Sequence, residues 1–473
     1  MGRIVQRMGL GLAVALAFVF GQPVTAQTAG APGIGDSYYP GFGNGGYDVA
    51  HYALEMAVDP AANFLEAQAT IRALALEPLS SFNLDLIGLD VTSITVNDQP
   101  AAFTRDGQEL TITPAEPLAE GETFTASVAY NGTPEPVTSV ALPVRTGWVP
   151  YTPSGTSPSG AAVFVMSEPD GAATFFPCND HPLDKATYTF SVTVPEPYRV
   201  AMNGLVRSVT DHGDSTTTVS DVNHPMASYL VTINIAQFER ADEPGSHGVP
   251  IRNYFEKGIS PDVRALFARQ DEMMGYFESL FGEYPFDVYG AVVVNTEPGS
   301  ALETQTLSIF GLDTVSERDP FESELIIAHE LAHQWYGNSV SLADWRDIWL
   351  NEGWATFAEG LWIEYSDGDA AYQAYVTGLY DYLVRFEIEP PGSPAPDDLF
   401  NQSVYFRGAM TLHALRARLG DDTFFEIARA WAAQYAYGNA TTADFIALAE
   451  TISGEPLDDF FDGWLYDARV PAL

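Results

Sequence analysis

The chain has a single cysteine, Cys178, in 473 residues. No internal disulfide is available, so the fold must be held by its apolar core, alone or with a bound metal. Basic residues are also scarce: 21 Lys and Arg stand against 63 Asp and Glu, a formal net charge of −42 at pH 7. A nucleic acid or an anionic membrane surface would be repelled, and no basic stripe offsets the balance. The excess of carboxylates reads as a solvated surface that resists association. No apolar run approaches the roughly 18 uninterrupted residues that suggest a membrane span. No internal repeat is found.

What is present suits a folded protein, with 46% hydrophobic residues and a length that supports two or three domains. Residues 1–26 read as a signal peptide. Arg3 and Arg7 form a positive start, Met8 to Phe20 is a short apolar run, and Val24-Thr25-Ala26 is a small-residue cleavage site before Gln27. The mature protein is therefore expected to be exported, periplasmic or extracellular.

Residues 27–46, rich in Gly, Pro and Ala, read as a flexible N-terminal segment. From 47 to 240 alternating runs such as Tyr52–Val58 and Thr187–Val194, punctuated by turn residues, predict a β-rich domain. Past Gly245 the texture changes. Helical spacing over Asp262–Phe281 and from Glu322 onward, with one or two strands in Phe286–Val294, predicts a mostly α-helical second domain over 241–473.

The sharpest signal in that second domain is His329-Glu330-Leu331-Ala332-His333. At about 100° per residue, Ile326, His329, Glu330 and His333 share one sector, with Leu325, Ala328, Leu331, Ala332 and Trp335 opposite. The spacing predicts one buried face and one face presenting two imidazoles a turn apart, the arrangement a tetrahedral Zn²⁺ needs from two ligands. Glu330 is then placed to handle protons. Glu352, after an 18-residue interval, supplies a third ligand in Leu350-Asn351-Glu352-Gly353-Trp354-Ala355. Two His and one carboxylate leave a position open for water, the mark of a catalytic site. His51, His181, His212, His224 and His247 show no ligand spacing, and His413 reads as a packed helix residue.

These residues resemble those of the aminopeptidase N family of gluzincin zinc metallopeptidases. Gly299-Ser300-Ala301-Leu302-Glu303-Thr304 is similar to the family's exopeptidase motif, departing from its usual letters at Ser300, Leu302 and Thr304. Ser167-Glu168-Pro169, followed by Phe176-Pro177-Cys178-Asn179-Asp180, resembles the N-domain segment that contributes a second amine-binding side chain. Val404-Tyr405-Phe406-Arg407-Gly408-Ala409 matches the context of the family's transition-state tyrosine. The resemblance runs from about Tyr47 to the end, through Phe281–Phe286 and Phe460–Tyr466. It implies a β-saddle domain followed by a thermolysin-like catalytic domain. It also implies that Glu303 and Glu168 bind the substrate's free amine, that Ala301 is a further substrate-binding residue, and that Tyr405 supports the transition state. Larger members continue into a helical domain over the active site, so a short form is expected.

The expected activity is removal of N-terminal residues from peptides, with one Zn²⁺ per chain. A thermolysin-like endopeptidase would use the same ligands without needing Glu303 or Glu168. A non-catalytic scaffold of the same fold would be expected to have lost ligands, whereas this chain keeps all three and Glu330. The preferred first residue, the natural peptides and the oligomeric state stay open.

Overall fold

The computed structural model describes residues 27–153, 160–245 and 248–473. The expected signal peptide and His247 lie outside the described residues. An eight-stranded sheet dominates the first half, in the order Leu205–Asp211, Ser215–Met226, Ala186–Pro195, Tyr47–Asp59, Phe64–Ala75, Thr123–Gly132, Asp90–Val96, Gln99–Pro100. The strand Tyr47–Asp59 shows why the sequence pattern works. Tyr52, Leu54, Met56 and Val58 are buried at alternate positions, as a one-faced sheet requires. Before them Tyr47 and Val49 are buried on the other phase, because the register shifts between Val49 and His51 and a bulge there swaps the inward face.

A five-stranded sheet holds Val137–Thr138, Arg145–Tyr151, Ala162–Met166, Ile233–Ala236 and Arg199–Met202, in that order. Its strand Ala162–Met166 is buried throughout and runs directly into Ser167-Glu168. The next strand, Phe238–Glu243, pairs instead with Ile251–Glu256 in a four-stranded sheet completed by Ala291–Val293 and Ser308–Phe310. That sheet belongs with the helices, so the expected division at 240 falls inside its first strand. Of Phe286–Val294, only Ala291–Val293 is a strand.

The helices of the second half are α1 (Pro261–Ala265), α2 (Gln270–Phe281), α3 (Pro320–Ala332), α4 (Trp349–Asp367), α5 (Asp369–Phe386), α6 (Gly408–Leu419), α7 (Asp421–Gln434), α8 (Thr442–Ser453) and α9 (Asp458–Leu465). Their starts follow local chemistry. The Asp319 side chain accepts from Glu322 N ahead of Pro320 to begin α3, and Thr441 and Asp444 form a reciprocal cap on α8. Gly282, at φ +101°, ends α2 in a conformation that disfavours a side chain.

Residues 27–46 are not a flexible segment. Thr28–Ala29 pairs in parallel with the strand Leu79–Asp85. Buried Asp36 meets His181 Nε2 in the β-rich half and accepts from Trp345 N in the helical half. Ser37 donates to Asp344 through both its N–H and its hydroxyl. The glycines serve close packing: a Cβ on Gly43 would lie 2.7 Å from His181 Cβ. The composition that suggested freedom is what lets this strap lie flat across two domains.

Candidate metal centre

Helix α3 carries His329 and Glu330 in its last turn and ends at Ala332, so that His333 is its capping residue. His329, Glu330 and His333 are 9%, 6% and 1% exposed, and α4 packs against their helix. Helix α4 packs against α3 and brings Glu352, from its first turn, to both imidazoles.

His329 Nε2 lies 3.0 Å from His333 Nε2 and 3.3 Å from Glu352 Oε2, which is 3.4 Å from His333 Nε2. The other ring nitrogens decide what this triangle means. His329 Nδ1 is 2.7 Å from Glu359 Oε1, and His333 Nδ1 is 3.1 Å from the Tyr336 carbonyl oxygen. Each partner is an acceptor, so each Nδ1 carries the proton and, in the neutral ring, each Nε2 presents a lone pair. With both rings neutral, two lone pairs and a carboxylate oxygen converge with no donor among them. A cation satisfies all three. For ligand distances of about 2.0–2.1 Å, a tetrahedral ion has ligand–ligand edges of about 3.3 Å, which the observed triangle matches.

The electrostatics agree. Burial opposes ionisation of Glu352, but the His333 and His329 charges outweigh it and hold the carboxyl down at about 2. Burial likewise opposes protonation of His329, yet Glu352 and Glu359 hold its pKa well above the usual imidazole value. The pocket calls for positive charge. Burial pushes Glu330 up to about 8, and its Oε2 is sealed from solvent with no hydrogen-bond partner.

Glu168 and Glu303 arrive from opposite domains. Glu303 sits on the loop before the strand Ser308–Phe310, closed by reciprocal backbone bonds between Leu302 and Ile309. Its carbonyl oxygen accepts from Gln334 Nε2 at 2.9 Å and Asn338 Nδ2 at 2.6 Å, so side chains just beyond His333 pin the loop. Glu303 Oε1 and Glu168 Oε1 are both sealed and unpartnered. Burial raises both carboxyls, and for Glu168 the charges of Glu303, Glu352 and Glu330 add to the rise. Ala301, two residues before Glu303, is half-buried.

Tyr405 lies in a wide helical turn, Ser403–Arg407, that opens α6. Local π turns of this kind recur at functional sites. Its ring stacks on His329 with centroids 6.1 Å apart. Burial, with the site carboxylates, keeps the phenol protonated by raising its pKa well above the usual value. Arg407 anchors the turn through the carbonyls of Trp464, Gly463 and Asp467.

The fold thus brings together His329, Glu330, His333, Glu352, Glu303, Glu168 and Tyr405. Sequence reasoning missed Glu359, Gln334 and Asn338. The Tyr375 hydroxyl donates to Glu359 Oε2 at 3.0 Å. The available signal was spacing: Glu359 follows Glu352 by two helical turns on one face. His413 is a packed helix residue, its Nδ1 2.8 Å from the Tyr372 hydroxyl.

Comparison with known proteins gives one answer along the chain. The Peptidase M1 N-terminal domain matches residues 49–230 and the Peptidase family M1 domain matches 265–464. Human glutamyl aminopeptidase is 30% identical over 350 residues, covering 68% of this chain and 36% of the relative. Aminopeptidase M1-B of Oryza sativa subsp. japonica is 28% identical over 320 residues, 63% of this chain and 36% of that one. The chain therefore spans about a third of the length of the curated relatives it matches. The crystal structure of the M1 zinc metallopeptidase from Deinococcus radiodurans superposes with a TM-score of 0.84 at 32% identity, covering 93% of this chain and 99% of that one. A mutant of that protein, equally similar, was solved bound to a Tyr-Ser-Ala substrate. With its two domains, its convergent His329, His333 and Glu352, and this likeness over nearly its whole length, the chain belongs to the M1 family of zinc metallopeptidases.

Proposed function

We propose that the protein is an exported zinc aminopeptidase that removes the N-terminal residue from peptides. One observation carries the reading: beside the three ligands, carboxylate oxygens of Glu168 and Glu303 are buried and without a partner. Orphaned buried acceptors cost free energy, and a substrate ammonium entering between them supplies charge and donors at once. That fixes the scissile bond one residue from the free end. The two relatives named above, both aminopeptidases, and the peptide-bound structural neighbour support the same reading.

His329, His333 and Glu352 would hold Zn²⁺, which would supply Lewis acidity to lower the pKa of a water toward about 7 and to polarise the scissile carbonyl. Glu330 accepts the proton of the attacking water and passes it to the leaving amine. The Tyr405 hydroxyl donates to the carbonyl oxygen as negative charge develops there. Glu359 and the Tyr336 carbonyl hold the two imidazoles in the tautomer that leaves each Nε2 free.

The deciding experiment compares peptides with free and acetylated amino ends on the zinc-loaded protein. Free peptides should be trimmed from the end, acetylated ones should resist, and a chelator should abolish turnover. Cleavage inside an acetylated peptide would establish the endopeptidase alternative instead. Export rests on Arg3, Arg7, the apolar run and Val24-Thr25-Ala26. N-terminal sequencing of exported protein should begin at Gln27, and intact Met1 in a cytosolic fraction would remove the localisation.

A further inference from the structure

We propose that Asn203 and Thr306 are positioning residues that set the gap between Glu168 and Glu303 across the domain junction, so that both carboxylates close on one substrate ammonium. The inference deepens the aminopeptidase reading and rests on it. The two carboxylates belong to different domains, so their spacing has to be fixed by bonds between those domains. Such bonds run through buried groups from one to the other.

On the β-rich side, Glu168 follows the strand Ala162–Met166, which pairs with Ile233–Ala236, which pairs in turn with Arg199–Met202. Asn203 stands just past that third strand. Thr232 Oγ1 donates to the Val165 carbonyl, three residues before Glu168, at 2.9 Å, and Thr232 N donates to Asn203 Oδ1 at 2.7 Å. The Asn203 amide then crosses the junction. Its Nδ2 donates to the Leu230 carbonyl at 2.9 Å on its own side and to the Gln305 carbonyl, two residues beyond Glu303, at 2.7 Å. Gly204 N adds a second crossing bond, to Thr306 Oγ1 at 2.8 Å. Asn203, Thr232 and Gln305 are fully buried, so bulk water does not compete for these groups.

On the catalytic side the receiving turn is strained. Leu307 N donates to the Thr304 carbonyl at 3.0 Å, closing a four-residue turn whose third residue, Thr306, sits at φ +67°. Glycine or asparagine usually takes such a position, and a β-branched residue persists there only where its surroundings over-determine it. Here they do. Thr306 N donates to Gln334 Oε1 at 2.9 Å, and the same Gln334 donates through Nε2 to the Glu303 carbonyl. A glycine would suit the turn better, but only a side chain supplies the hydroxyl that receives Gly204 N. Strain kept beside Glu303 for one bond across the junction points to a use for that bond.

The test separates positioning from folding. Thr306→Val keeps the branched shape and removes the acceptor, Thr306→Ser keeps the acceptor, and Asn203→Ala removes the amide. Each is made in zinc-loaded Glu330→Gln protein and titrated calorimetrically with Leu-Ala, with acetyl-Leu-Ala as the control that lacks the ammonium. KM and kcat for a leucine fluorogenic amide are measured with Glu330 intact. Affinity for Leu-Ala should fall about 10- to 100-fold in Thr306→Val and Asn203→Ala, the cost of misplaced charge-assisted bonds, with KM raised by the same order and Thr306→Ser close to its parent. Damage to folding alone would lower the binding stoichiometry and the melting temperature and leave the affinity of the folded fraction unchanged. A loss below about fivefold in either folded variant, or an equal loss in Thr306→Ser or for acetyl-Leu-Ala, overturns the inference. Should Asn203→Ala not fold, the Thr306 pair decides alone by the same threshold. If the wild-type protein hydrolyses no aminoacyl amide, the aminopeptidase reading falls, and the Leu-Ala titration still decides this one, absence of binding to the Glu330→Gln parent counting against it.

Discussion

Replacing Tyr405 by Phe separates a packed ring from a working hydroxyl. Phe keeps the stacking on His329 and the buried volume and removes only the donor. An oxyanion donor is worth about 100- to 1,000-fold in turnover, so kcat should fall by that order while KM, zinc content and thermal midpoint barely change. Retention of more than about a third of wild-type kcat would strip Tyr405 of its role. Glu359→Gln tests the support of the metal. The amide can still accept from His329 Nδ1 but without charge, so zinc affinity should drop about 10- to 100-fold in a chelator competition. Unchanged affinity would reduce Glu359 to packing. The contrast between these residues shows what a sequence discloses. His329, His333 and Glu352 were legible because one metal imposes one spacing on them. Glu359 was not, since a lone glutamate on a helix reads as a solvated side chain until the fold sets it against an imidazole.

At the scale of elements, the site depends on how closely α4 and α6 approach. A Cβ on Gly353 would lie 2.9 Å from the Gly408 carbonyl carbon, and one on Gly408 would lie 2.9 Å from Gly353 Cα. These glycines follow Glu352 and close the Tyr405 turn, so two backbones touch where ligand and phenol must meet. Gly353→Ala should force the helices apart, costing about 1–3 kcal/mol as overpacking does, and should weaken zinc binding. Gly378→Ala on α5, whose added methyl meets nothing within 4 Å, should leave both intact or gain a little stability. Thermal denaturation and zinc titration of the two variants check this, and equal behaviour would refute the contact argument. The motif letters Asn-Glu-Gly and Arg-Gly-Ala thus have a steric cause that no periodicity could reveal. Strand and helix types were readable because each domain repeats one burial pattern. The strap over 27–46 was misjudged because glycine and proline serve flexible and tightly folded chain alike.

The whole molecule is tied across its two halves by single buried groups, and Lys185 offers a pH-readable one. Its Nζ donates to the carbonyls of Asn338 and Ser339 at 2.9 and 3.0 Å, and burial pulls its pKa from 10.5 down to about 7. Between those values the unfolded chain binds a proton that the folded protein does not, so this residue's contribution to stability rises with pH across that window and is lost as pH falls toward about 7. Lys185→Met cannot titrate. The difference in melting temperature, wild type minus variant, should therefore grow between pH 7 and pH 10 by calorimetry. A difference that is flat or shrinks would show that Lys185 is not depressed.

The strand Thr28–Ala29 bears on a hazard peculiar to an enzyme that shortens chains from the amino end. Once processed at Gln27, each copy would offer its neighbours a fresh substrate. Thr28 N donates to the Pro78 carbonyl and Gly30 N to the Ser81 carbonyl, so the backbone just behind that end is already committed to a sheet. To be fed into another copy's cleft it would first have to be peeled away, and the same strap continues to Asp36 and Ser37 at the domain junction. With the processing and activity proposed above, the amino end would thereby be withheld from the trimming reaction.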